Sequence, residues 1–147
     1  MADLIGCEKN IHLEEISELE SSLKSQLPQE FKEHYLRHNG GFLDETDVNT
    51  EQWGLPLGGF NPIKYGKLTI ETLMKDIGSI IVEEENLTWH YGDLVPFAYD
   101  NGGNTVFLSL IEPTLGNVFV YAMDGNNLFK VSDTFSDFLK RLYKKLR

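Results

Sequence analysis

Apolar residues near the start of the chain recur with the period of a helix. Ile16, Leu19 and Leu23 are three and four residues apart, and glutamates occupy most positions between them. This spacing predicts an amphipathic helix from about Leu13 to Ser25. The helix should end before Leu27-Pro28, because proline disfavours helical geometry in the residue that precedes it.

A second helix should begin at this proline. Pro28 suits the first turn of a helix, Phe31 and Tyr35 are one turn apart, and Asn39-Gly40-Gly41 is typical of a helix end. We therefore predict two short helices that meet at a sharp corner.

The middle of the chain has weaker patterns. The segment from Gly54 to Phe60 has turn residues around a short apolar run, which indicates a short strand. A helix is predicted from Thr69 to Ile77 with Thr69 as its N-cap. The composition of Ser79 to Val82 favours a short strand.

From Leu94 onward the pattern changes to that of an antiparallel sheet. Four short runs rich in β-branched and aromatic residues are separated by turn residues, and we predict them as strands: Leu94 to Tyr99, Asn104 to Leu110, Val118 to Met123 and Asn127 to Val131. Alternation places Val106, Leu108 and Leu110 on one face, and Val118, Val120 and Ala122 on one face of the next strand. Consecutive strands with short turns predict a meander.

The turn in Tyr99-Asp100-Asn101-Gly102-Gly103-Asn104-Thr105 is the strongest local signal. Asn-Gly tolerates positive φ at both central positions of a turn, so this segment predicts a hairpin. A phosphate-binding loop is the alternative, but neither glycine pair is followed by Lys-Ser or Lys-Thr, and the chain has no G-x-G-x-x-G motif.

The last predicted element is a helix with the clearest stripe of the chain. Its apolar positions recur at three and four, and either Ser132 or Asp133 is its expected N-cap: Phe135, Phe138, Leu139, Leu142, Tyr143 and Leu146. The basic residues Lys144, Lys145 and Arg147 would favour the negative end of the helix dipole.

Charge is unevenly distributed along the chain. The 147 residues have a net charge of -10, but residues 140–147 contain five basic and no acidic side chains, so the remainder stands at -10 - 5 = -15. Such a body repels nucleic acid and attracts a basic protein. Acidity can also serve only to keep a small protein soluble, and this alternative remains open.

Length and composition fit one globular domain, residues 1–147. The single Cys7 excludes an internal disulfide, no secretory signal pattern opens the chain, and the apolar runs are too short for a membrane span. We therefore expect a cytoplasmic protein that does not bind membranes.

Candidate metal sites are weak. His34 and His38 are one helical turn apart, but the H-E-x-x-H motif needs a glutamate where this chain has Tyr35, so we interpret both as ordinary histidines on a polar face. The acidic stretch from Asp44 to Glu51 lacks the glycine and terminal glutamate of a calcium loop. No metal and no cofactor is predicted.

Candidate catalytic residues are equally weak. Cys7 has no Cys-His signature around it, no serine lies in a G-x-S-x-G elbow, and Glu83-Glu84-Glu85 reads as an exposed charge run. Trp53 and Trp89 fit either an interface or the core. The sequence predicts a binding protein without catalytic residues.

Several sequence blocks occur in a fixed order between about Leu13 and Leu142. They include Leu27-Pro28-x-x-Phe31-Lys32-x-x-Tyr35-Leu36, Asn39-Gly40-Gly41, Leu94-Val95-Pro96-Phe97-Ala98 and Asp100-Asn101-Gly102-Gly103-Asn104. Together these blocks resemble the SUKH superfamily, which includes fungal cell-wall assembly regulators and many bacterial immunity proteins. The order and spacing of the blocks make the resemblance specific, while the middle, from Asp44 to Gly92, matches least.

The resemblance implies an α+β fold, a mostly antiparallel sheet wrapped by N-terminal and C-terminal helices. It also implies a bacterial immunity protein that binds a cognate polymorphic or contact-dependent toxin, which we expect to be a basic nuclease. The alternative is a regulatory or scaffold domain that binds endogenous partners. Expected contacts with the toxin come from acidic residues: Asp44, Glu45, Asp47, Glu51, Glu83, Glu84, Glu85, Asp93 and Asp100.

Overall fold

The computed structural model describes residues 4–43, 48–50, 52–82, 87–122 and 127–142. Four helices lie within these residues: α1 (Leu13–Leu23), α2 (Gln29–Arg37), α3 (Ile70–Ile77) and α4 (Phe135–Lys140). No helix in this part of the chain has the length and apolar composition that a membrane crossing requires.

Within the described ranges, eight strands form two sheets. Their bounds are β1 (Gly41–Phe42), β2 (Leu57–Phe60), β3 (Ile80–Val82), β4 (Leu87–Trp89), β5 (Leu94–Asp100), β6 (Thr105–Ser109), β7 (Val118–Ala122) and β8 (Asn127–Ser132). The larger sheet has the order β1-β2-β5-β6-β7-β8, and β3 and β4 form a separate hairpin. Every pair of neighbouring strands is antiparallel, so the fold is α+β as predicted.

The two faces of the large sheet have different cover. On one face, α1, α2, α4 and the first turns of α3 pack on the main core, which includes the predicted trio Val106, Leu108 and Leu110. On the other face, Ile80 and Trp89 of the β3–β4 hairpin pack on Phe107 and Phe119. The hairpin reaches only part of this second face.

The side chain of Tyr35 connects α2 to the sheet at the centre of the main core. The ring is fully buried, and its hydroxyl donates to the carbonyl oxygens of Asn61, at 2.7 Å, and Phe97, at 3.1 Å. Burial raises the pKa of Tyr35 well above its usual value, so the phenol stays a donor. Beside it, Phe31 contacts Phe135 with a centroid distance of 5.0 Å.

The predicted corner between the first two helices is present. Lys24 ends α1 in the left-handed conformation, with φ of 58°. Glu20 then accepts a hydrogen bond from the backbone N–H of Leu27 at 2.7 Å and pairs with Lys32 of α2 at 3.3 Å. One carboxylate therefore holds both sides of the corner, while Pro28 is the N-cap of α2.

The middle and the meander also agree with the sequence predictions. Thr69 caps α3 by accepting from the N–H of Thr72, and β2 and β3 fall in the two short runs that predicted strands. Strands β5 to β8 pair consecutively. The predicted hairpin at the turn after β5 is confirmed, since Tyr99 pairs with Thr105 across it, and Gly103 in this turn has positive φ, at 87°.

The prediction of Ser132 or Asp133 as the N-cap of the last helix was wrong. Thr134 is the N-cap of α4, and its side chain accepts from the N–H of Asp137 at 3.0 Å. Ser132 still belongs to β8, and its hydroxyl donates to the carbonyl oxygen of Thr134. Asp133 instead pairs with Lys130 at 2.7 Å. The predicted positions from Tyr143 to Arg147 lie outside the described residues.

Truncation of Phe138 should destabilise the fold strongly. Its ring is fully buried between Phe97 and Trp53, with centroid distances of 5.6 and 6.3 Å. Phe138→Ala should lower the free energy of unfolding by about 3 to 5 kcal/mol, because a cavity forms. Leu13→Ala, at a side chain that is 64% exposed, should change it by less than about 0.5 kcal/mol. Equal urea midpoints for the two variants would contradict the assignment of α4.

Candidate functional site

Most of the acidic residues predicted to contact a partner lie outside the described residues: Asp44, Glu45, Asp47, Glu51, Glu83, Glu84 and Glu85. Asp93 is described and half-buried in the turn between β4 and β5. One oxygen of its carboxylate accepts from the N–H of His90 at 2.9 Å, and this hydrogen bond lies at an exposed position.

Asp100, which was predicted to contact a partner, lies in the interior and not on the surface. Its side chain is only 2% exposed. One carboxylate oxygen accepts from the N–H groups of Gly102 and Asn104, both at 2.9 Å. The other accepts from the indole of Trp53 at 2.8 Å and the side-chain amide of Asn104 at 3.0 Å. Four donors make burial of a carboxylate tolerable, so Asp100 holds the hairpin turn together.

Both tryptophans belong to the interior rather than to an exposed interface. The ring of Trp53 is half-buried and stacks on Phe138 with an interplanar angle of 10°. Trp89 is 6% exposed and packs on Phe119 beneath the β3–β4 hairpin.

The Asn39-Gly40-Gly41 block is likewise structural. The buried amide of Asn39 donates to the carbonyl oxygens of Lys9, at 2.8 Å, and Ile63, at 3.0 Å, and accepts from the N–H of Ile63 at 2.7 Å. Gly41 has φ of 101°, and a Cβ there would lie 2.9 Å from the sulfur of Cys7. The block ties the segment before α1 to the loop after β2.

His34 is not an ordinary histidine on a polar face, because it is only 5% exposed. Its ring contacts Phe60 at a centroid distance of 4.8 Å, and Nε2 has no hydrogen-bond partner among the described residues. Burial, with smaller contributions from the charges of His38 and Arg37, lowers its pKa to about 3. Within the described residues, no three His, Cys, Asp or Glu side chains cluster in a way that could hold a metal ion.

A row of side chains crosses the part of the sheet that the β3–β4 hairpin leaves open. The strand register aligns one residue from each of the six strands, and such directly opposed residues share a face: Phe42, Gly59, Tyr99, Thr105, Tyr121 and Leu128. We call it the open-face row. Phe42 is 55% exposed, and the last four members are partly exposed.

Glycine at the second position of this row lets the ring of Tyr99 lie on β2. A Cβ added to Gly59 would be 2.5 Å from the hydroxyl of Tyr99 and 2.7 Å from the carbonyl oxygen of Gly41. Gly58 is similarly close to the Tyr99 ring, at 3.0 Å. A larger residue at Gly59 would therefore displace either Tyr99 or β1.

At the β1 end, the row meets a groove of about 530 Å³. We call it the edge groove, and six of its residues matter here: Glu8, Phe42, Asn61, Pro62, Leu68 and Tyr99. No sequence pattern predicts this surface. Phe42 and Leu68 are single apolar residues in weakly patterned segments, and only the pairing of β1, β2 and β5 brings them beside Tyr99.

Comparison with known proteins identifies the family. The model of the SMI1 / KNR4 family (SUKH-1) matches residues 10–141, which is most of the chain. No curated protein and no solved structure matches the chain.

The buried His34 should make stability depend on pH. Unfolding restores its ordinary pKa of 6.5, so between pH 6.5 and about 3 only the unfolded state binds this proton. Stability should therefore fall as pH is lowered through this range, by up to about 1.4 kcal/mol per pH unit.

Urea unfolding at several pH values tests this prediction. His34→Phe, which keeps a ring in the same place, should remove that part of the slope, whereas His90→Phe, at an exposed site, should keep it. Identical slopes for the wild type and His34→Phe would contradict the buried, neutral state of His34.

Proposed function

The chain belongs to the SMI1 / KNR4 family (SUKH-1), and we propose that it is a bacterial immunity protein that neutralises a cognate toxin by stoichiometric binding. The resemblance to the SUKH superfamily supports this proposal, since single-domain bacterial members are often antidotes to polymorphic or contact-dependent toxins. Such an antidote acts inside the producing cell, so the proposal includes a cytoplasmic location.

The negative charge is the observation that carries this proposal. The net charge of -10 creates a field that attracts basic proteins and repels nucleic acid. A nuclease must hold a phosphate backbone and therefore has a basic cleft. An inhibitor of such a cleft gains speed of association from an acidic surface, and we propose a nuclease toxin as the partner.

The proposed electrostatic contacts come from the acidic residues that lie between β1 and β2 and between β3 and β4 along the chain, together with the half-exposed Asp93. They are Asp44, Glu45, Asp47, Glu51, Glu83, Glu84, Glu85 and Asp93. Asp100 is not among them, because its carboxylate is buried and satisfied by four internal donors.

We propose binding rather than catalysis, and the use made of the buried polar groups supports this. Asn39, Asp100 and the hydroxyl of Tyr35 all hold segments of the fold together through hydrogen bonds. His34 is buried, and its pKa of about 3 is far from the value near 7 that suits a general base.

Co-expression tests the immunity role. The reading frame next to this gene, when it encodes a toxin, should kill cells alone and spare them when this chain is present. Phe138→Ala, which removes the folded protein, serves as the negative control. Equal killing with and without the wild-type chain would overturn the immunity proposal and favour a regulatory partner.

Association with the toxin should slow as salt is raised, because added ions screen the acidic field. Reversal of Glu83, Glu84 and Glu85 to lysine should slow association more than reversal of Glu14, Asp76 and Glu112, three exposed residues elsewhere that change the net charge equally. Stopped-flow rates at several salt concentrations provide the measurement. A rate that does not depend on salt would contradict electrostatic steering.

A further inference from the structure

We propose that the edge groove is where a protein partner docks, and that the occupant is an arginine side chain on a protruding segment of that partner. This inference rests on the proposed function in that the partner is taken to be the toxin. Three features of the groove residues fit a guanidinium group: exposed aromatic surface, and, among the residues that the structure describes, a hydrogen-bond acceptor without a partner and a carboxylate outside any ion pair.

The walls of the groove are apolar and accessible. Phe42 is 55% exposed and Leu68 is 50% exposed, and both line the groove together with the half-buried Tyr99. Ile5, 60% exposed, pairs with Phe42 along the outer edge of β1. Large apolar side chains at this density on one edge mark a surface that a partner covers.

One of the residues that line the groove carries a buried acceptor. Asn61 is only 3% exposed, and its Oδ1 has no hydrogen-bond partner among the described residues. Its amide nitrogen donates to the carbonyl oxygen of Leu68 over 3.4 Å, which is a long bond. A buried acceptor without a donor is costly, so a donor that enters the groove and reaches Oδ1 gains a well-placed bond.

Charge selects a cationic donor. Glu8 lies over Gly66 at the groove, and within the described part of the chain it forms no ion pair. Lys67 also lines the groove, but the chain as a whole carries -10, so the long-range field favours a cation. The faces of aromatic rings attract guanidinium groups, and Phe42 and Tyr99 supply two such rings.

Arginine satisfies these features better than lysine does. Its planar guanidinium has five donors and stacks on aromatic faces, whereas the lysine ammonium is a compact and strongly hydrated charge. The remainder of the partner's segment would lie along the open-face row, which continues from Phe42 and Tyr99 to Tyr121 and Leu128.

A titration without any toxin tests the groove directly. N-acetyl-arginine amide, added to the 15N-labelled full chain, should give saturable shifts in the NMR signals of Phe42, Leu68 and the side-chain amide of Asn61. N-acetyl-glutamine amide should give none. Glu8→Lys and Phe42→Ser should each weaken arginine binding at least about tenfold, as expected for central contacts. The proposal would be overturned if the wild type showed no saturable shifts at the groove, or if both variants bound N-acetyl-arginine amide as tightly as the wild type does.

Experiments with the toxin distinguish the groove proposal from the proposed immunity function. Phe42→Ser and Glu8→Lys should abolish protection in co-expression and weaken toxin binding at least about tenfold, whereas Ile81→Ser and Glu112→Lys, matched changes at exposed sites away from the groove, should not. Protection that survives the groove variants would overturn the groove proposal and leave the immunity role intact.

If the wild-type chain does not protect cells from the toxin, the immunity role is overturned. The arginine titration then tests the groove proposal independently of that role. A second copy of this chain is the other possible occupant of the groove, and sedimentation of the free chain tests for it. A dimer that Phe42→Ser dissociates would show that a second copy fills the groove, and this outcome also overturns the arginine proposal.

Discussion

The hydroxyl of Tyr35 is the interaction on which the arrangement of the fold depends. It donates to carbonyl oxygens on two segments that are distant in sequence, Asn61 after β2 and Phe97 in β5. Because Tyr35 is fully buried, loss of its hydroxyl would leave both carbonyl oxygens without this donor, and a buried acceptor without a donor destabilises the fold. The two bonds fix α2 over the junction of β2 and β5, and residues of the same junction, Phe60 and Asn61, line the edge groove.

Sequence patterns predicted the elements whose signals are local. The stripe of Ile16, Leu19 and Leu23, the proline at the corner and the alternation in β6 each report the environment of one segment, and the structure agrees with them. The pairing of β2 with β5 was not predictable in this way, since residues 61–93 lie between the two strands and the register shifts between Leu57 and Gly59. The open-face row follows from this register, so no local signal contained it.

Burial of polar residues was the other failure of sequence reasoning. Asp100 and His34 are polar by type, and their positions next to glycines or charged residues gave no indication of an interior site. The structure hides them by opposite means. Asp100 receives four donors and remains a satisfied hydrogen-bond acceptor, whereas His34 sits among aromatic rings with an unpartnered Nε2 and a pKa of about 3. Neither kind of neighbour is close in sequence.

The residues that hold the backbone and the exposed residues of the edge groove have separate tasks, and this separation bears on how such a protein diverges. Asn39, Tyr35 and Gly59 hold the backbone of the sheet edge, while Phe42, Leu68 and Glu8 project from it and contribute little to the core. Substitutions among the projecting residues can therefore accumulate without loss of folding. A lineage could change the partner it recognises through a handful of mutations, each viable by itself, on a frame that stays the same.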